Sequence, residues 1–274
     1  MDSEQRRPVV LGVKTPRGDH AAVRLAAEEA ALRGRCLHVI HAFVWPLGPP
    51  RGARWRSGSP RHIAERIVAD AVSAARTACP GLRVSGRVID GSPLSILWHY
   101  SRRAALLVLG TGTLRASVDI PVQSMAVQLP ARAACPVIVA DDTRRPHAPV
   151  VVGVDGSPGT APALDLAFEE ARLRRAPLLV VQAGRPEREV TGGPHTVLHH
   201  TLAWWLARYP TVSVTQRVVA APAVQALTEM SRHAQLLVVG ARGWRARLLG
   251  SVTQAMLHHA ACPVAVGREP ARLP

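Results

Sequence analysis

The chain repeats itself. Pro8-Val-Val-Leu-Gly-Val13 returns 141 residues later as Pro149-Val-Val-Val-Gly-Val154. The match runs on without a gap: Leu25-Ala26 meets Leu166-Ala167, Glu28-Glu29-Ala30 meets Glu169-Glu170-Ala171, and Leu32-Arg33 meets Leu173-Arg174. Further on, Leu107-Val-Leu-Gly110 answers Leu237-Val-Val-Gly240 at an offset of 130, and Ala134-Cys-Pro-Val137 answers Ala261-Cys-Pro-Val264 at 127. One duplication accounts for all of this, and it confines the fold, because each half must be a domain of ordinary size built on one plan.

The falling offset locates two losses in the second copy. Eleven residues are gone between its second and fourth strands, opposite the Pro-, Gly- and Arg-rich stretch Trp45–Pro60 of the first copy. Three more are gone between Gly240 and Ser251. The copies are assigned to residues 1–142 and 148–274, with the polar segment Asp141–Ala148 as the linker.

Within each copy, short apolar runs alternate with helical periods. In the second copy, Val150–Val154, Leu178–Gln182, Val212–Val219, Gln235–Gly240 and Val264–Val266 read as strands. Ala161–Arg175, Val197–Arg208, Ala223–His233 and Ser251–His259 read as helices. Apolar strands separated by amphipathic helices imply a parallel sheet covered on both faces. The fold class is therefore α/β: two tandem Rossmann-like domains, each a doubly wound five-stranded parallel sheet. Such sheets bind ligands beyond the carboxyl ends of the strands, where the winding direction reverses.

That rule points to particular residues. The first strand of the second copy runs into Asp155-Gly-Ser157. Its fourth runs into Gly240-Ala-Arg-Gly243, and a helix opens at Gly250-Ser251. Asp155 is expected to face the glycine segment across a crevice. Glycines let backbone N–H groups approach phosphate oxygens, and a helix N-terminus adds its dipole. Ser251 and Gln254 fit a capping box, so Ser251 is either a cap alone or a cap that also meets phosphate. Arg242, Arg245 and Arg247 are placed either on phosphate or, as the average arginine is, in solvent.

These motifs, in this order and over essentially the whole chain, resemble the universal stress protein family. The resemblance implies the α/β sheet already read from the periodicity. It also implies an ATP site of the form Gly-x2-Gly-x9-Gly-Ser/Thr, with an aspartate at the end of strand one. Mapped here, the second copy supplies Asp155, Gly240, Gly243, Gly250 and Ser251, although only six residues separate Gly243 from Gly250. The first copy keeps the nine-residue spacing but has Thr113 and Gln123 for the second and third glycines, and Lys14 in place of Asp155. The resemblance therefore implies ATP in the second domain only. It further implies pairing of the two domains through their last strands, Val137–Ala140 and Val264–Val266, as an intramolecular pseudo-dimer, with a homodimer open.

Other features bound the function. The formal net charge is +15, carried almost wholly by arginine, with Lys14 the single lysine. This gives a positive field that attracts phosphates and acidic partners. The basic residues are scattered and no DNA-binding motif occurs, so nucleic acid ranks last as a partner. Apolar runs are too short to span a bilayer, and the polar start MDSEQRRP has no signal-peptide core, so the protein is placed in the cytoplasm. Cys36, Cys79, Cys135 and Cys262 form no CxxC pair and are expected as reduced thiols. His195, His199 and His200 have no cysteine or carboxylate to complete a zinc set. No nucleophile–base motif appears, so no enzyme is expected. Two readings lead: a stress-response protein that binds adenine nucleotide through its second copy, and a scaffold that uses the tandem fold to bind a partner protein.

Overall fold

A computed structural model describes residues 7–15, 19–45, 59–110, 124–157, 160–184, 202–241 and 249–268. The first copy supplies β1 (Val9–Gly12), α1 (His20–Leu32), β2 (Leu37–Phe43), α2 (Pro60–Ala78), β3 (Val84–Asp90), α3 (Pro93–Ser101), β4 (Leu106–Gly110), α4 (Met125–Arg132) and β5 (Val137–Ala140). The second supplies β6 (Val150–Val154), α5 (Thr160–Arg174), β7 (Leu178–Ala183), the helical residues 202–208 (α6), β8 (Val214–Val219), α7 (Ala223–Ser231), β9 (Leu236–Gly240), α8 (Ser251–His259) and β10 (Val264–Gly267).

The chain divides into two compact units, and the cut does not fall at the duplication boundary. One unit holds residues 1–129 and 133–135; the other holds 130–132 and 136–274. In the first unit the strands lie in the order β3-β2-β1-β4, all parallel. In the second the order is β5-β10-β9-β6-β7-β8. All neighbours there are parallel except β5, which runs antiparallel to β10 with Val139 opposite Val264 and Val137 opposite Val266. The last strand of the first copy has thus joined the second copy's sheet, through the strand pairing anticipated above.

The segment expected as a linker is also tied down. Asp141 is buried, and its carboxylate accepts the N–H of Thr143 at 2.8 Å. Arg145 reaches the carbonyl of Ala261 at 2.9 Å. Behind it, Arg174 bonds Glu170 at 3.0 Å and Gln235 at 3.2 Å, and Gln235 donates to the carbonyl of Ala148. Glu170 is wholly buried, so this pairing is what makes its charge tolerable inside the protein.

Helices cover both faces of each sheet, and glycines show how closely. Gly12 pairs with Ile40, which pairs with Arg87, so Gly12 shares a face with Arg87 and opposes Gly86. A Cβ on Gly12 would meet Leu97 of α3, whereas one on Gly86 would meet Val68 and Val72 of α2. The second copy repeats this: a Cβ on Gly153 would meet Leu227 of α7, and one on Gly267 would run into the backbone of Pro162 and Ala163 at 2.6–2.7 Å. Strands buried on both sides need apolar residues at successive positions, and Val150, Val151 and Val152 are each at most 1% exposed.

The first helix of each copy ends in the same motif. After α1, Gly34 sits at φ +59 while the N–H of Arg35 reaches the carbonyl of Ala30. After α5, Arg175 occupies the matching place at φ +52, and the N–H of Ala176 reaches the carbonyl of Ala171. Left-handed backbone suits glycine and costs other residues about 1 kcal/mol or more.

Candidate nucleotide site

From β6 the chain winds to β7 and β8 on one side, then crosses back to β9 and β10 on the other. The winding therefore reverses between β6 and β9, and a crevice opens beyond the carboxyl ends of these two strands. Asp155, Gly240, Gly250 and Ser251 all line it. Gly243 lies outside the described residues, as do Arg242, Arg245 and Arg247. About 120 Å3 of the crevice is open to the centres of water molecules, enough for several waters. Val181, Leu227 and Val239 form an apolar floor, with Ala183 and Ala223 beside them.

Asp155 is fixed by its own turn. One carboxylate oxygen accepts the N–H of Ser157 at 2.9 Å and the hydroxyl of Thr160 at 3.0 Å. Gly156 has φ +74, which an Asp-Gly turn supplies readily. Partial burial works against ionising Asp155. The hydrogen bonds from Ser157 and Thr160 outweigh it and hold the carboxyl below its ordinary value of 3.8. Near neutral pH the group is an anion that can accept donors from a ligand but cannot donate to one.

The opposite wall is the start of α8. The expectation that Ser251 caps this helix is corrected: the N-cap is Gly250, with extended backbone at φ −63 and ψ 153, and no side chain caps the helix. Gly250 passes its carbonyl to the N–H of Gln254 at 3.0 Å, so Ser251 is the first helical residue and stands exposed at the crevice. The first N–H groups of a helix have no partner within it, and a phosphate oxygen satisfies them well. Thr253, buried two residues further in, donates its hydroxyl to the carbonyl of Gly240 at 2.7 Å. That bond locks the start of α8 to the end of β9.

Ser157, Thr160 and Thr253 were not singled out from the sequence. Ser157 had a signal, since Asp-Gly-Ser is an Asx-turn sequence. Thr160 and Thr253 had none, because their partners lie on other elements.

The matching turn of the first copy is built from other residues. Lys14 is exposed, and no acid follows β1 directly. Instead Asp19, only 5% exposed and opposite Thr160 in the repeat, turns its carboxylate back to the N–H groups of Lys14 at 2.6 Å and Thr15 at 2.8 Å. His41 holds the carbonyl of Val13 through Nδ1 at 3.0 Å. Burial lowers its pKa, while the Val13 carbonyl and the charge of Asp19 pull the other way. Arg61 pairs with Asp90 and lies over the ring of Phe43 at 5.7 Å, and Trp45 meets that ring edge-on at 5.0 Å. Thr113 and Gln123 fall outside the described residues, as do His195, His199 and His200. Among the described residues no three His, Cys, Asp or Glu side chains group to hold a metal ion. No helix among them is long and apolar enough to cross a membrane.

Fold and site together define a tandem α/β protein with a crevice at the switch point of its second sheet. The chain belongs to the universal stress protein family: the family pattern matches twice, over residues 5–141 and 147–268. It is 34% identical to universal stress protein Rv2005c of Mycobacterium tuberculosis, across 95% of this chain and 97% of that one. It is 32% identical to universal stress protein Rv2623 of the same organism, across 95% and 96%. A universal stress protein from Archaeoglobus fulgidus shares the fold with a TM-score of 0.72 at 13% identity, covering 95% of this chain and 96% of that one.

Proposed function

We propose that this universal stress protein binds an adenine nucleotide, ATP, in the crevice of its second copy and acts in stress regulation by binding rather than by turnover. The observation that carries the reading is the pairing of opposite chemistries across one crevice. A fixed carboxylate, Asp155, forms one wall, and an uncapped helix start, Gly250-Ser251, forms the other. A nucleotide matches this division: ribose and base offer donors to the carboxylate, and phosphate accepts from the N–H groups. The apolar floor of Val181, Leu227 and Val239 suits a flat base between them.

The test is calorimetric titration of the full chain with ATP. Saturable heat is expected for wild type. Asp155→Ala should weaken binding about tenfold or more, the worth of hydrogen bonds to a charged group. Gly250→Asp is the sharper variant. Its backbone angles accept any residue and aspartate is a favoured N-cap, but Gly250 is buried, so an unchanged far-UV circular dichroism spectrum is required alongside the titration. Its carboxylate would meanwhile occupy and repel at the phosphate wall, and ATP binding should vanish. No heat from wild type at millimolar ATP would remove the nucleotide reading and leave the partner-protein scaffold.

A further inference from the structure

The first copy has a cavity of its own, and it is not the counterpart of the nucleotide crevice. It measures about 260 Å3 and lies between α1 and α2, beyond the end of β1. The chain from β1 to β3 winds one way, so α1 and α2 cover one face of the sheet. The helices α3 and α4 follow the reversal and cover the other face. Among the described residues, none that lines this cavity comes from β4, α3 or α4, the elements that match β9, α7 and α8 around the crevice.

Two acids line the cavity at different depths. Asp19 is only 5% exposed, whereas Asp70 stands exposed on α2. Both amides that Asp19 accepts, from Lys14 and Thr15, bond to Oδ2, and Oδ1 has no partner among the described residues. A carboxylate has room for about four hydrogen bonds, and one buried this far gains from a cation. The chain carries 34 Lys and Arg against 19 Asp and Glu. Even so, no ion pair reaches Asp19 or Asp70 among the described residues. His41 feels the charge of Asp19, but burial lowers its pKa, so near neutral pH it is not the counter-ion. The rest of the wall is largely apolar: Val13, Val23 and Ala71 are buried, and Ile67 is half-buried. In the second copy Thr160 stands where Asp19 stands, and the acid is gone from that place.

We propose that this cavity binds an aliphatic diamine, with one ammonium on Asp19, the other on Asp70, and the methylenes against Val13, Val23 and Ala71. Each end of such a ligand donates to a carboxylate that lacks a cation, and its stem matches the apolar wall. A hard metal ion suits the cavity poorly. Such ions take six or more oxygens, and among the described residues no three His, Cys, Asp or Glu side chains group together.

The test is calorimetric titration of the full chain with putrescine at physiological salt, where the field of the net positive charge is screened. Saturable heat with one ligand per chain is expected. Butylamine keeps the stem and one charge, and it should bind about tenfold more weakly. Asp70→Asn is an exposed change that should keep the fold and cost about tenfold in affinity for putrescine. Asp19→Asn keeps an oxygen for the amides of Lys14 and Thr15 but removes the charge, and binding should be lost. Should Asp19→Asn fail to fold, Asp70→Asn and butylamine decide instead. No saturable heat at millimolar putrescine, equal affinity for butylamine, or unchanged affinity in folded Asp70→Asn would each overturn the proposal. Displacement of putrescine by an equal concentration of magnesium chloride would overturn it as well, because it would mark a site for any cation.

Discussion

The turns after β1 and β6 began as one sequence and now solve one structural problem with the acid in different places. In the second copy the carboxylate is Asp155, and the hydroxyl of Thr160 at the start of α5 answers it. In the first copy the carboxylate is Asp19 at the start of α1, and it answers the backbone of Lys14 and Thr15. Both turns need an acceptor for their exposed N–H groups. In the second copy that acceptor lines the crevice beyond β6 and β9, whereas Asp19 lines a cavity between α1 and α2. The difference teaches that a turn can keep its internal bonding while the acid that supplies it moves across the loop.

The comparison can be broken most forcefully away from the crevice. Gly267 in β10 corresponds to Ala140 in β5. A Cβ on Gly267 would meet main-chain atoms of Pro162 and Ala163 that cannot rotate aside. Gly267→Ala should therefore cost about 2–3 kcal/mol in denaturant unfolding, toward the upper end for overpacking, although the first copy carries alanine there natively.

Next come the turns themselves. Lys14→Asp sets a second carboxylate beside Asp19 and should destabilise. Asp19→Thr removes an acceptor from two amides and should cost about 1–2 kcal/mol. The double variant rebuilds the second copy's arrangement, so its loss should fall below the sum of the single losses by about 1 kcal/mol in a double-mutant cycle. Additive losses would show that the acid cannot be moved between the two sites.

A smaller change should sharpen the contrast in the opposite direction. Arg175→Gly gives the second copy the residue that the first has at Gly34. It should stabilise by about 0.5–1 kcal/mol, seen as a rise in melting temperature.

The smallest effect is on pH. Burial lowers the pKa of His38 and of His41, so the folded first unit resists their protonation. The unfolded chain binds these protons near the ordinary value of 6.5, and stability must therefore fall as pH drops below it toward the lowered folded values. In the second unit only His258 behaves this way among the described residues, where burial and then His259 lower it. Hydrogen exchange followed at about pH 7 and again at about pH 5.5 should show the larger loss of protection in the first unit. Asp155 adds nothing in this window. Its depressed carboxyl contributes stability above its ordinary 3.8, lost only as pH falls through the lowered value.

What the sequence determined by itself was whatever repeats or alternates. The offset of 141 exposed the duplication, and the valine runs and helical periods exposed the parallel sheets, because strands buried on both faces must be apolar throughout. Asp155, Gly240, Gly250 and Ser251 were legible as a set, since the winding rule brings the ends of β6 and β9 together whatever their side chains do. Tertiary structure alone decided the rest. It gave β5 to the second unit, because an edge strand leaves backbone groups open and β10 could close them. It moved the cap of α8 from Ser251 to Gly250, because the entering backbone, not the residue type, sets where a helix begins. It placed Thr160 and Thr253 in the site through bonds to Asp155 and Gly240, contacts that no local pattern of sequence encodes.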